Sequence, residues 1–112
     1  MKVLTSMLAL GLLVSPALAE TKNFNDVSVV DVMCSKKAAA NPDAHTRACA
    51  LQCAGSGYGI ITSDGKFLKF DSDGNAKIAE ELKASKKADH LRVNVSGDVE
   101  GDTLKVASVT LL

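Results

Sequence analysis

The chain has no tryptophan, and its aromatic side chains are confined to Phe24, Tyr58, Phe67 and Phe70. Proteins that stack single-stranded nucleic acid or sugars on aromatic platforms need more of them. Charge of one sign is missing too: 13 Lys and Arg balance 13 Asp and Glu over 112 residues. Without a net field, nothing draws the chain onto nucleic acid or an anionic membrane, so no nucleic-acid partner is expected. Only two histidines occur, His45 and His90, and no Ser-His-Asp arrangement can be assembled around them. The glycines Gly55, Gly57 and Gly59 lack the spacing of a dinucleotide loop, and no Lys-Ser/Thr pair follows for a phosphate loop. Asp71, Asp73 and Asn75 begin like a calcium loop, but Ala76 and Leu82 stand where its turn glycine and bidentate glutamate belong. The pattern therefore points to a binding protein and not to an enzyme.

What is present begins with a leader. Met1-Lys2 gives a short positive start, Val3 to Val14 is apolar and uncharged, and Pro16 precedes Ala17-Leu18-Ala19, a small-x-small cleavage pattern. Residues 1–19 read as a secretory signal peptide, too short to anchor stably across a bilayer core of ~30 Å. Cleavage leaves a single domain over residues 20–112, periplasmic or secreted, with no stable membrane anchor. Export matters for the three cysteines, Cys34, Cys49 and Cys53. Outside the cytosol thiols oxidise, yet three cannot all pair within one chain. One stays free, pairs with another molecule, or shares a metal ion.

Along the domain, Val27 to Cys34 is β-branched and reads as a strand after a polar lead-in. Alternation sets Val30, Val32 and Cys34 on one face and Val29, Asp31 and Met33 on the other, with either face able to turn inward. Pro42 with Asp43 as N-cap predicts a helix from Ala44 carrying His45, Cys49 and Cys53. Tyr58 to Thr62 and Lys66 to Phe70 form a hairpin about Asp64-Gly65, with a two-residue turn pairing Ile61 with Leu68. Asn75 to Lys87 reads as a helix with an apolar stripe of Ile78, Ala79 and Leu82. A last hairpin turns at Gly101-Asp102, and its return strand slips phase near Ala107-Ser108, the mark of a bulge. Five short strands with a helix between the third and fourth match a mainly β, five-stranded OB-like Greek-key barrel. An α+β open sheet is the alternative.

On one helix, spacing i, i+4, i+8 drifts only about 40° per step, so His45, Cys49 and Cys53 would share a face. Cys53 would still sit ~12 Å up the axis from His45, so one ion joins all three only if the last turn unwinds. Cys34 supplies a fourth donor from the first strand. Three thiolates and an imidazole are the Cys3His set of closed zinc sites, and soft sulfur also suits copper(I). The metal candidates are thus Cys34, His45, Cys49 and Cys53, with zinc as first cofactor and copper as second. Against this stands a metal-free module stapled by a disulfide from Cys34 to Cys49 or Cys53, which would engage a peptide, glycan or envelope protein partner. His90, beside Arg92, reads as a solvated surface residue, and Met33 as a packing residue.

The segments Asp31-Val32-Met33-Cys34, His45-Thr46-Arg47-Ala48-Cys49-Ala50-Leu51-Gln52-Cys53 and Asp64-Gly65-Lys66 carry a resemblance. The pattern D-x-x-C…H-x-x-x-C-x-x-x-C…D-G-K resembles that of a functionally uncharacterised family of small exported bacterial proteins. The likeness runs from Val27 to Phe70 and extends to the last hairpin only in general character. It implies an OB-like fold and a shared role for Cys34, His45, Cys49 and Cys53, and it brings no substrate.

Overall fold

A computed structural model describes residues 20–112; the expected signal peptide lies outside the described residues. Five strands close into one barrel: β1 (Glu20–Asp31), β2 (Tyr58–Ile61), β3 (Phe67–Phe70), β4 (Arg92–Glu100) and β5 (Thr103–Leu111). Around the barrel they run β1-β2-β3-β5-β4 and back to β1, with only β3 and β5 parallel. This is an OB-like barrel, and its closure excludes the open sheet. The helix α3 (Ser72–Ala84) lies between β3 and β4, while the long connection from β1 to β2 carries two short helices, α1 (Ser35–Ala38) and α2 (Arg47–Gln52). No described helix is long and apolar enough to cross a membrane.

The core follows from alternation. Ile60, Leu68, Phe70, Leu91, Val93, Val95 and Leu104 turn into the barrel, where Ile78 and Leu82 of α3 close over them. Asp71 starts α3 by accepting the amide of Gly74 at 3.0 Å, so the helix begins and ends about three residues earlier than the apolar stripe alone suggests. Gly74 is needed there for contact: a Cβ would stand 2.4 Å from Val106 Cγ2, so only glycine lets α3 rest directly on β5.

Three local expectations change. The polar lead-in, Glu20 to Asp26, is part of β1, because its outer half pairs with β4 alone and needs no second buried face. The β2–β3 turn is one residue longer than a two-residue loop, so Ile61 pairs with Phe67 and Ile60 with Leu68. Gly65 (φ +86°) ends a turn closed by its own amide on Thr62 O, which places glycine after the tight turn instead of inside it. Met33 is 71% exposed, since β1 has already ended at Asp31. The slip at Ala107 is real: Ser96 pairs with Ser108 but Gly97 with Val106, leaving Ala107 as the extra residue of a bulge.

The Val29 face of β1 is the one that turns into the barrel, together with Val27. Val30 is buried as well, on the outside, under Ala38 of α1 and beside Ile61 and Phe67. β1 is thus covered on both faces just before it ends, and Asp31 belongs to the inner one.

Candidate metal centre

Asp31 is the last residue of β1, paired in register with Tyr58 at the start of β2. It is fully buried. A carboxylate in that position must find donors, and it does. Its Oδ2 accepts the amide of Cys34 at 3.0 Å, a turn that reverses the chain into α1. Its Oδ1 lies 2.6 Å from His45 Nε2, and His45 in turn has only 9% of its side chain exposed. Each carboxylate oxygen keeps a further lone pair after these contacts.

The helix expected to carry His45, Cys49 and Cys53 on one face does not form as such. Pro42–Ala44 makes a separate short 3-10 turn, and His45 follows it in extended conformation. Thr46 is the N-cap that opens α2, its Oγ1 accepting the amide of Cys49 at 3.1 Å. Thr46 outcompetes Asp43 because its hydroxyl is two to three residues ahead of the free amides when the helix starts at Arg47. Cys49 then falls in the first turn of α2 and is exposed, whereas Cys53 is its C-cap and half-buried. Three residues at helical spacing are thus distributed over a loop, a helix and a helix end.

The breakdown of the helix brings other groups together. A carboxylate oxygen of Asp31 and the sulfurs of Cys34 and Cys53 all lie within 4.8 Å of one another, a group that could hold a metal ion. Cys53 is held at this spot by Ser56, which donates its hydroxyl to Cys53 O at 2.8 Å and accepts the amide of Met33 at 3.2 Å. Val32 also bonds Gly57 O, so both ends of the connection are clipped across the group. Of the four residues expected from sequence, Cys34 and Cys53 enter the group directly and His45 touches it through Asp31. Cys49 lines a neighbouring cleft of about 350 Å³ together with Cys34 and His45.

Burial pushes the Cys34 thiol up from its ordinary pKa, and the charge and hydrogen bond of Asp31, then Cys53, push the same way. That is the reverse of what an activated thiolate nucleophile needs. A cation beside the sulfur would counter every one of these effects, because it favours the deprotonated ligand. Tyr58 closes the floor: its buried hydroxyl donates to Ala50 O at 2.8 Å, and burial, followed by the charges of Asp31 and Cys53, holds its pKa high.

Asp31 and Tyr58 are the residues that spacing did not single out. A signal for Asp31 was present in Asp31-x-x-Cys34, the spacing at which an Asp side chain caps the amide three residues on. Its burial follows only once the structure turns the Val29 face inward. Comparisons of the chain with protein-family models, curated proteins and solved structures give no match.

Proposed function

We propose that this is an exported bacterial envelope protein that binds a soft transition-metal ion, zinc before copper, at Asp31, Cys34 and Cys53. The observation carrying this reading is the 4.8 Å grouping of two sulfurs with a fully buried carboxylate. Two thiolates and a carboxylate supply three donors of a tetrahedral zinc set, with one position left for water or a fourth ligand. Copper(I) favours the sulfurs and gains less from the oxygen. Binding would release the thiol protons and add to folding stability, because the unfolded chain has no preformed site. Export is supported by the pattern at residues 1–19, and mass spectrometry of the exported form should find Glu20 first. Retention of Met1 would remove the envelope part of the reading. The resemblance noted above, to small exported bacterial proteins, is in keeping with this reading.

The same closeness of Cys34 and Cys53 favours one second reading, a metal-free barrel braced by a Cys34–Cys53 disulfide that binds an envelope partner. Thiol titration of protein isolated from its compartment separates the two. Metal binding predicts that Cys34 and Cys53 react only after chelation, with no need of reductant. The brace predicts that Cys49 alone reacts, chelator changes nothing, and the other two thiols appear only on reduction.

A further inference from the structure

The two sulfurs that would hold an ion are also placed to bond to each other. Cys34 and Cys53 lie with Asp31 inside 4.8 Å, whereas Cys49, exposed in the first turn of α2, is not in the group. Bonded sulfurs stand ~2 Å apart, so joining Cys34 to Cys53 asks for a shift of at most ~3 Å. Neither residue is fully buried, so a small molecule can reach the pair.

Two features suit the group to exist with or without an ion. The first is the carboxylate. Asp31 keeps a protein partner on each oxygen, the Cys34 amide on Oδ2 at 3.0 Å and His45 Nε2 on Oδ1 at 2.6 Å. Departure of a cation would therefore leave neither oxygen of this buried group unpartnered. The second is that the anchors setting the sulfurs side by side do not use sulfur. Ser56 links Cys53 O to the Met33 amide, the Val32 amide donates to Gly57 O at 2.9 Å, and Asp31 holds the Cys34 amide. Either an ion or a covalent bond can then join the same two side chains.

We propose that Cys34 and Cys53 are a reversible redox pair that controls the ion: as a dithiolate they hold it with Asp31, and as a disulfide they release it. This rests on the metal reading above, and it makes the ion-bound centre and the disulfide-braced barrel two states of one site. The oxidant is a low-molecular-weight disulfide. One cysteine sulfur attacks it, forming a mixed disulfide and expelling one small thiolate, which takes a proton. The second cysteine sulfur attacks the mixed disulfide, forming the Cys34–Cys53 bond and expelling the other thiolate, which also takes a proton. The pair loses two electrons, the small disulfide gains them as two thiols, and the ion leaves with its charge unchanged. Cys49 takes part in neither state. Because only the reduced pair holds the ion, binding and oxidation oppose each other by linkage.

The test uses the full domain, residues 20–112, carrying Cys49→Ser, in mixtures of glutathione and glutathione disulfide. Free zinc is buffered at two levels tenfold apart, both saturating the reduced chain. The reduced chain should take up one zinc. Oxidation should give the Cys34–Cys53 bond in the peptide map and free one zinc per bond, and dithiothreitol should restore binding. The ratio of glutathione disulfide to squared glutathione at half-oxidation should be tenfold higher at the higher zinc level. Zinc retained by the oxidised chain, a midpoint that zinc does not move, or a pair that stays reduced in excess glutathione disulfide each overturn the switch and leave zinc binding standing. A reduced chain that takes up no zinc overturns the metal reading itself, and the switch with it.

Discussion

The β4–β5 ribbon and the connection between β1 and β2 are held by different forces. The ribbon is a continuous ladder from Val93–Leu111 to Glu100–Thr103, broken once at the bulge, and its inward residues are aliphatic. The connection, residues 32–57, has only short helices and 3-10 turns. Side chains bonded to backbone keep it in shape: Asp31 to Cys34, Thr46 to Cys49, Ser56 to Met33, Asn75 to Tyr58 and Tyr58 to Ala50. The ribbon needs volume and pattern, while the connection needs particular atoms at particular places. The comparison teaches why the chemistry sits where it does. A ladder has no backbone room for converging ligands, whereas a loop pinned by a few polar anchors can bring Asp31, Cys34 and Cys53 together.

The comparison breaks if the barrel and the connection respond alike to substitution. The largest effect is expected from the barrel side. Leu82 is fully buried where α3 meets the core. Leu82→Ala should cost about 3 kcal/mol through lost contacts and a residual cavity, read by denaturant unfolding. Metal affinity measured on the folded fraction should stay at the wild-type value. A loss of affinity matching the loss of stability would mean that barrel packing and the centre form one cooperative unit.

Asp31→Ala sharpens the contrast from the other side. It strands the Cys34 amide and the His45 ring nitrogen, costing about 2 kcal/mol, less than the core cavity. Metal binding should fall much further than stability does, since the substitution removes a proposed ligand and the partner of the His45 ring. Titration of the variant with zinc checks it. Unchanged affinity would show that Asp31 only holds the turn.

How far each region could be read from sequence follows the same division. Alternation in Leu91-Val93-Val95, the phase slip at Ala107 and the apolar stripe of α3 lead to the barrel, because a ladder's side chains are sorted by solvent alone. The connection was legible in its residue types but not in its geometry. Counting four residues from His45 to Cys49 to Cys53 assumes one helix, and the competition between Asp43 and Thr46 for the cap decided otherwise. Asp31 escaped for a related reason. Its burial depends on which face of β1 turns into the barrel, and with Val27, Val29 and Val30 all apolar the alternation left both faces open.

The smallest expected effect comes from the seam between the two regions. Arg92, at the start of β4, donates Nε and Nη2 to the two carboxylate oxygens of Asp43 at 3.1 and 2.9 Å, and Nη1 to Asp26 O at 3.0 Å. It thereby fastens the 3-10 turn of the connection to the barrel, beside the point between Phe24 and Val27 where the register of β1 against β4 shifts. Hydrogen bonding to Arg92 is the main reason Asp43 is held below the ordinary carboxylate pKa, and it prevails over partial burial, which acts the other way. A carboxyl whose folded pKa is depressed stabilises the fold above its unfolded pKa, and that contribution is lost as pH falls through the folded value. Wild type should therefore melt slightly above Asp43→Asn at neutral pH. The gap should be constant down to the ordinary carboxylate range and close as the solution is acidified below it. Salt should narrow the neutral-pH gap, since the pair is partly exposed and screened. A gap that persists at low pH would assign Asp43 a role independent of its charge, and the seam would then belong with the hydrogen-bonded anchors of the connection.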